Sequence, residues 1–322
     1  MLNELAASTD AGGVNLLVGK SVVSWDVGYA FRPNDMVQQE ARRELIAKPL
    51  EGRPMVMAQS FKEGQAWSAL VFKQVRRTQD NNAAGKDEYA MAARYFVQFG
   101  SADLYAFGKY GEDSRASIGA AASWVASDQL EVHGSYRRTG LQPLPTLAGG
   151  VPAIASSDPY GLGPEAHRNQ VLVGLTWTTS EKVSLLAEAW YDGGAPPDSF
   201  WHAWRSRGDG IWALARGPNS PLVSANAAAG NLGWQASQLS GYGLRRENVF
   251  VRLSWTRDEW QPALDVLFTP RDGGLVATAG ATWQGDRVRV DAGVRYYGGR
   301  NGSLYWQTPR RAVLYGGVAV PF

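Results

Sequence analysis

The segment Arg287-Val288-Arg289-Val290-Asp291-Ala292-Gly293-Val294-Arg295-Tyr296-Tyr297 alternates without a break. Val288, Val290, Ala292, Val294 and Tyr296 share one face, and Arg287, Arg289, Asp291, Gly293 and Arg295 share the other. Successive side chains of a strand point to opposite faces, so a period of two is a β-strand. Alternation alone leaves the surroundings open. A soluble sheet buries its apolar face and turns charge to water. A transmembrane barrel turns the apolar face to lipid and keeps its polar face inside. What separates them is whether the other strands repeat the pattern and where the aromatic residues stand.

Stretches 54–62, 66–77, 87–99, 103–111, 115–126, 129–138, 169–178, 182–192, 248–257, 259–268, 274–284 and 312–322 read as further strands. The first two alternate least cleanly. Another strand is expected over 14–30, bending at Gly19. With 287–298 the total is about fourteen, an even number in the bacterial barrel range. The fold class expected is therefore all-β, a transmembrane antiparallel up-and-down β-barrel. Tight turns stand at Lys62-Glu63-Gly64-Gln65, Gly100-Ser101-Ala102, Ser127-Asp128, Thr179-Ser180-Glu181, Arg257-Asp258 and Gly285-Asp286. Between them lie mostly longer connections: 31–53, 78–86, 112–114, 139–168, 193–247, 269–273 and 299–311. Short periplasmic turns and long extracellular loops alternate in this way in outer-membrane barrels. The reading takes 1–322 as one barrel domain, with 1–13 a loose N-terminus and 139–168 and 193–247 the long extracellular loops. A short amphipathic helix is expected from Gln38 to Leu45 inside the loop 31–53.

The aromatic residues test this reading independently. Trp67, Phe99, Trp124, Trp177, Trp255, Trp260 and Trp283 all lie near tight turns, on the apolar faces of their strands. Tyr89, Tyr136, Tyr191, Phe268 and Tyr296 occupy the apolar faces at the opposite ends. Two belts separated by Val, Leu, Ala and Gly match a surface with two water–lipid interfaces. The expected location is the outer membrane of a Gram-negative bacterium.

Composition narrows the function. The net charge of +2 offers no basic patch for nucleic acid. There is no cysteine, which excludes disulfides and thiolate chemistry. No run approaches the roughly 18 apolar residues of a membrane helix, which leaves a barrel open. Residues 1–13 hold neither a basic nor an apolar signal region. On the membrane reading, either a signal has been removed or the gene copy is truncated, which leaves room for further strands ahead of residue 1.

The terminal Val318-Ala319-Val320-Pro321-Phe322 resembles the C-terminal signature of Gram-negative outer-membrane proteins. That resemblance implies that Phe322 is the signal read by the barrel assembly machinery. Pro321 departs from the usual pattern, although a strand end tolerates it. A second stretch, Val18-Gly19-Lys20-Ser21-Val22-Val23-Ser24-Trp25-Asp26-Val27-Gly28-Tyr29-Ala30-Phe31-Arg32-Pro33-Asn34-Asp35, resembles one found in substrate-type porins of the alginate-porin kind. Asp26 stands where that pattern more usually has glycine. The first likeness is architectural; the second implies a substrate-specific porin.

The inward faces are expected to carry Arg94, Lys109, Glu131, His133, Arg137, Glu188, Asp192, Arg252, Asp265, Arg287, Arg289, Asp291 and Arg295. They form either a selectivity lining favouring anionic or hydroxyl-rich solutes or a salt-bridge lattice filling the lumen. In the loop 193–247, Trp201, Trp204, Arg205 and Trp212 either contact solute in the mouth or pack as the core of a surface cap. The segment 32–53 is a further candidate to fold inward. His133 and Ser135 share the inward face of one strand, and a lumen histidine is preferred to a hydrolase pair. His167 and His202 lie in loops, so no metal spacing links the three histidines.

The function expected is an outer-membrane pore for passive or substrate-selective diffusion of small hydrophilic, anionic or sugar-like solutes. It is not expected to be an enzyme or to hold a cofactor or metal. The alternatives are an exopolysaccharide export conduit, a structural barrel around a partner, and an outer-membrane lipid hydrolase. The partners expected are outer-membrane lipid and lipopolysaccharide, the assembly machinery, a hydrophilic solute and a protein in the lumen or periplasm, with no nucleic acid.

Overall fold

The computed structural model describes residues 3–38, 50–74, 87–216, 225–240 and 244–320. The chain opens with a hairpin, β1 (Leu5–Asp10) and β2 (Asn15–Ser21), closed by a turn in which Ala11 and Val14 exchange backbone hydrogen bonds. Then come β3 (Arg53–Lys62), β4 (Gln65–Gln74), β5 (Glu88–Phe99), β6 (Ala102–Gly111), β7 (Arg115–Ser127) and β8 (Leu130–Arg138). A small separate hairpin follows, β9 (Pro145–Leu147) and β10 (Tyr160–Leu162). The wall resumes with β11 (Asn169–Thr178) and β12 (Val183–Asp192). Helices α1 (Asp198–Arg216) and α2 (Ala225–Ser237) interrupt it. It ends with β13 (Glu247–Trp255), β14 (Trp260–Thr269), β15 (Gly274–Gln284), β16 (Arg289–Gly299) and β17 (Ala312–Ala319).

Fifteen of these strands form one antiparallel up-and-down sheet in chain order, from β1 to β17, with β9 and β10 outside it. Among the described residues the sheet is not closed, and because it has fifteen strands, an odd number, the edge strands β1 and β17 run in the same direction. Period-two alternation gives each strand one lipid-facing and one lumen-facing row. The tight turns fall where the sequence places them, and both long loops leave from the opposite end.

Four expectations are corrected. The loose terminus 1–13 contains β1, which makes one strand more than expected. The strand expected over 14–30 ends at Ser21, and the chain after it turns into the lumen. The strand read from Arg287 begins at Arg289, because Gly285 donates to the Val288 carbonyl and keeps 285–288 a turn. The loop 193–247 contains two helices. The helix expected over 38–45 lies almost wholly outside the described residues, as does Phe322.

The belts stand on the outer surface. Trp67, Phe99, Trp124, Trp177, Trp255 and Trp260 are exposed at the tight-turn end, and Trp283 is half-buried beside its register partner Trp260. Tyr89, Tyr136, Tyr191, Phe268 and Tyr296 are exposed at the other end. Their polar tips reach the rims. Trp124 Nε1 donates to Ser101 Oγ at 3.0 Å, Trp255 Nε1 to the Glu181 carbonyl at 3.1 Å, and the Tyr136 hydroxyl to Asn169 Oδ1 at 3.1 Å. Amphipathic rings at a membrane interface need this arrangement. No described helix is long and apolar enough to cross a membrane; the strands cross it.

Candidate functional site

Residues 22–38 leave the rim after β2 and cross the lumen as a plug. On one side Trp25, Met36 and Val37, all buried, pack with Met55, Leu70, Phe72 and Phe107 of the wall. Trp25 lies 6.3 Å from the Phe107 ring, and the Arg94 guanidinium lies 5.8 Å from the Trp25 ring. On the other side Tyr29 stacks on Phe250 at 6.2 Å and Phe31 on Trp190 at 5.5 Å. The plug therefore bridges β5–β7 to β12–β13 near the middle of those strands.

Its internal shape depends on Asp26, whose φ is +100°. That backbone region is rare for residues with a Cβ. The Asp26 carboxylate accepts from Val27 N–H at 2.8 Å and from Asn34 N–H at 2.5 Å. Arg32 ties the same loop, donating to Ser24 Oγ at 2.6 Å and to the Asp26 carbonyl at 3.0 Å.

One wall glycine receives the plug, and a second makes room for the side-chain pair beside it. Asn34, fully buried, lies against Gly119, where a Cβ would overlap its Oδ1. Its Nδ2 donates to Ser135 Oγ at 2.8 Å and lies near the Tyr136 and Ala120 carbonyls. Arg137 donates to the Pro33 carbonyl at 2.9 Å and to Ser117 Oγ at 3.3 Å. Gly174 stands between His133 on β8 and Glu188 on β12, its register partner on each side. A Cβ there would strike His133 Nε2 and crowd Glu188 Cγ. The glycine lets an imidazole and a carboxylate meet across an intervening strand.

Glu188 is 2% exposed. Its Oε1 accepts from Tyr29 N–H at 2.5 Å and its Oε2 from Ala30 N–H at 2.7 Å. His133 Nε2 stands 3.1 Å from Glu188 Oε1, and His133 Nδ1 stands 3.4 Å from Glu131 Oε2. Glu131 in turn accepts from Ser123 Oγ at 2.6 Å. A buried carboxylate needs such partners, because an unpaired one is costly to bury.

The remaining wall, β13 to β17, is wetter. Arg252 holds Asp265 through both carboxylate oxygens at 3.1 Å, each side chain 24% exposed, and its guanidinium lies 5.5 Å from the Tyr29 ring. Arg295 Nε donates to Thr278 Oγ1 at 2.8 Å. Arg289 pairs with Asp291 at 2.9 Å, and Thr282 Oγ1 donates to Asp291 at 2.6 Å. The Tyr315 hydroxyl lies over Gly280 and Gly293, within electrostatic reach of Arg295, Asp265 and Asp291. This array extends from mid-wall to the tight-turn end.

Above the plug sits the cap. Phe200, Trp201 and Trp204 of α1 are buried in one cluster with Ala30, Leu172, Trp190, Leu244, Phe250 and Leu304. Trp201 Nε1 donates to the Leu244 carbonyl at 2.7 Å and Trp204 Nε1 to the Gln235 carbonyl at 2.8 Å. Arg205 donates to the Gly302 carbonyl at 2.5 Å, while Trp212 is exposed beside Arg216. Asp198, in the first turn of α1, pairs with Arg271 at 2.7 Å and Arg245 at 3.1 Å. Partial burial works against its ionisation. The Arg271 hydrogen bond and the Arg245 and Arg271 charges outweigh it and hold the carboxyl below its usual range.

The structure thus brings Glu131, His133 and Glu188 together around the plug, and Arg252 and Asp265 on the wetter wall with Arg295, Arg289 and Asp291 beside them. Lys109 is buried, bonding Gln74, and Asp192 accepts from Gln170 at the rim. Arg287 lies exposed in the turn before β16. Sequence reading missed Tyr29, Asn34, Gly119, Gly174, Thr278 and Tyr315 as site residues. For Tyr315 the available signal was the alternation of 312–319, which sets it on the face opposite Leu314. Among the described residues no cluster of three or more metal-ligating side chains occurs.

No protein-family model matches the chain, and no curated protein does. Two engineered variants of the porin from Rh. blastica superpose with TM-scores of 0.48 and 0.46 at 13% and 12% identity. The first match covers 98% of this chain and 87% of the porin, the second 91% and 83%. Both fall below the similarity at which a fold comparison carries weight. Wzi of Escherichia coli, an outer-membrane protein involved in group 1 capsule assembly and described as a carbohydrate-binding β-barrel, superposes with a TM-score of 0.52 at 11% identity. That match covers 98% of this chain and 69% of Wzi, and at such identity it speaks to the fold alone.

Proposed function

We propose that this outer-membrane β-barrel is a gated pathway for hydroxyl-rich or anionic solutes, closed at rest by its own residues 22–38. One observation carries the reading: a single segment reaches both walls of the lumen near mid-height, Trp25 against Phe107 and the Tyr29–Ala30 amides against Glu188. On the wall below, Arg252, Asp265, Thr278, Arg295 and Tyr315 combine cations, hydroxyls and an aromatic ring. That combination suits anionic or sugar-like solutes. Selectivity belongs to Arg252 and Arg295, and the buried Trp201 and Trp204 hold the cap rather than the solute.

In this reading the protein is not an enzyme. His133 and Ser135 serve different partners, Glu188 with Glu131 and Asn34 respectively. Outer-membrane lipid and lipopolysaccharide contact the belts, and the assembly machinery reads the C-terminus. A sheath around a second chain is disfavoured because the protein's own segment fills the mid-lumen. The likeness to Wzi favours a second reading, binding or conduction of a surface polysaccharide, which would use the same wall.

Reversal potential tests the solute class. A barrel with 22–38 replaced by a Gly-Ser linker should pass anions in preference to cations under a salt gradient. Arg252→Gln with Arg295→Gln should abolish or invert that preference. A cation preference with both arginines present would contradict the proposal.

A further inference from the structure

We infer that Glu188 is the latch of this gate, the wall carboxylate that grips the plug at mid-lumen and holds it shut; this rests on the closed-gate reading above. The chemistry is specific. Most plug–wall contacts are apolar packing or single hydrogen bonds to neutral groups, whereas Glu188 receives two consecutive backbone N–H groups, one on each oxygen, at 2.5 and 2.7 Å. Hydrogen bonds to an ionised acceptor are about twice as strong as neutral ones. The amides belong to Tyr29 and Ala30, the corner where the plug meets both the charged wall and the cap: Tyr29 faces Arg252 and Phe250, and Ala30 joins the cap cluster.

The latch has a built support. His133 Nε2 lies beside Glu188 Oε1 and fixes that oxygen, Glu131 fixes the other ring nitrogen, and Ser123 fixes Glu131. Gly174 opens the space in which imidazole and carboxylate meet. The relay spans β7, β8 and β12, so the plug corner is anchored to three wall strands at one level. A solute displacing Asp265 from Arg252 would act on the Tyr29 ring directly beneath the latched amide.

The test uses single-channel recording on the full chain, with heat-dependent gel mobility to verify folding. Glu188→Gln keeps size and shape but turns one acceptor into an N–H₂ that faces a backbone N–H. It should raise open probability by roughly an order of magnitude or more. Glu181→Gln, on an exposed turn, should leave it unchanged. Because the chain has no cysteine, Asn34→Cys with Ser135→Cys can tether the plug to the wall. In the Glu188→Gln background the oxidised tether should restore closure, and dithiothreitol should reopen the channel. Should Glu188→Gln fail to fold, Gly174→Ala crowds the same pair without removing a charge and should open the channel likewise. A folded Glu188→Gln channel as quiet as wild type overturns the latch and leaves the gate reading standing. Opening that persists with the tether oxidised also overturns the latch, because the leak then lies elsewhere. A wild-type barrel that conducts continuously overturns the gate reading itself, and the latch with it.

Discussion

Asp26 holds a φ of +100° where glycine would rest without strain. The strain is retained because its carboxylate joins Val27 to Asn34 and closes the plug on itself. Asp26→Ala should therefore keep the strain, lose both bonds and destabilise the plug by about 2 kcal/mol. Asp26→Gly should cost less, because it relieves the backbone. Urea melts of the two refolded variants read the order, and equal losses would show that backbone strain contributes nothing. Gly119→Ala is a sharper case. The added methyl meets Asn34, and the plug should loosen, seen as faster hydrogen exchange at 22–38 with the wall strands unchanged. The sequence already marked position 26 as odd, an aspartate in a glycine slot of a porin-like stretch. It did not show why, because the answer lies in the backbone dihedral.

The cap and the plug are elements of different legibility. Helix α1 was readable in principle: Pro197-Asp198 makes a helix start, and Phe200, Trp201, Trp204 and Ile211 recur at helical spacing. Gly208 and Gly210, poor helix formers, and the length of the loop hid it. The inward path of 22–38 had no local signal beyond its likeness to a porin stretch. Val22 and Val23 continue an apolar run, and the partners that receive the inward chain, Glu188 and Ser135 among them, lie far away in sequence. For the cap, Trp204→Ala should cost about 3–5 kcal/mol locally and speed hydrogen exchange in α1 and α2. The Asp198 carboxyl is held low by its arginines, so its contribution is fully present above its ordinary value and is lost as pH falls through the lower folded value. Exchange in the first turn of α1 should rise only below the usual carboxylate range. The step should be modest, under about 1 kcal/mol for so exposed a pair, and absent in Asp198→Asn.

At the level of the whole molecule the wall was plain in the sequence, because lipid imposes one rule on every strand. An apolar residue must face out at every second position, and amphipathic rings must stand at both interfaces. That rule acts residue by residue, which is why Trp67, Trp124, Trp177 and Trp255 marked one rim before any contact was seen. The first strand escaped it, since Ala6, Ala7, Ser8 and Thr9 are too small and polar to alternate visibly. The lumen obeys no such rule, so its charges could be named from parity, while their sorting into a plugged and a wet wall depended on contacts between distant segments. The measurement to make is the conductance of the wild-type barrel in a planar bilayer beside the variant with 22–38 replaced by a Gly-Ser linker. A closed lumen predicts a quiet wild type and stable open steps in the variant. Large, steady steps from the wild type, unchanged when the plug is removed, would contradict it.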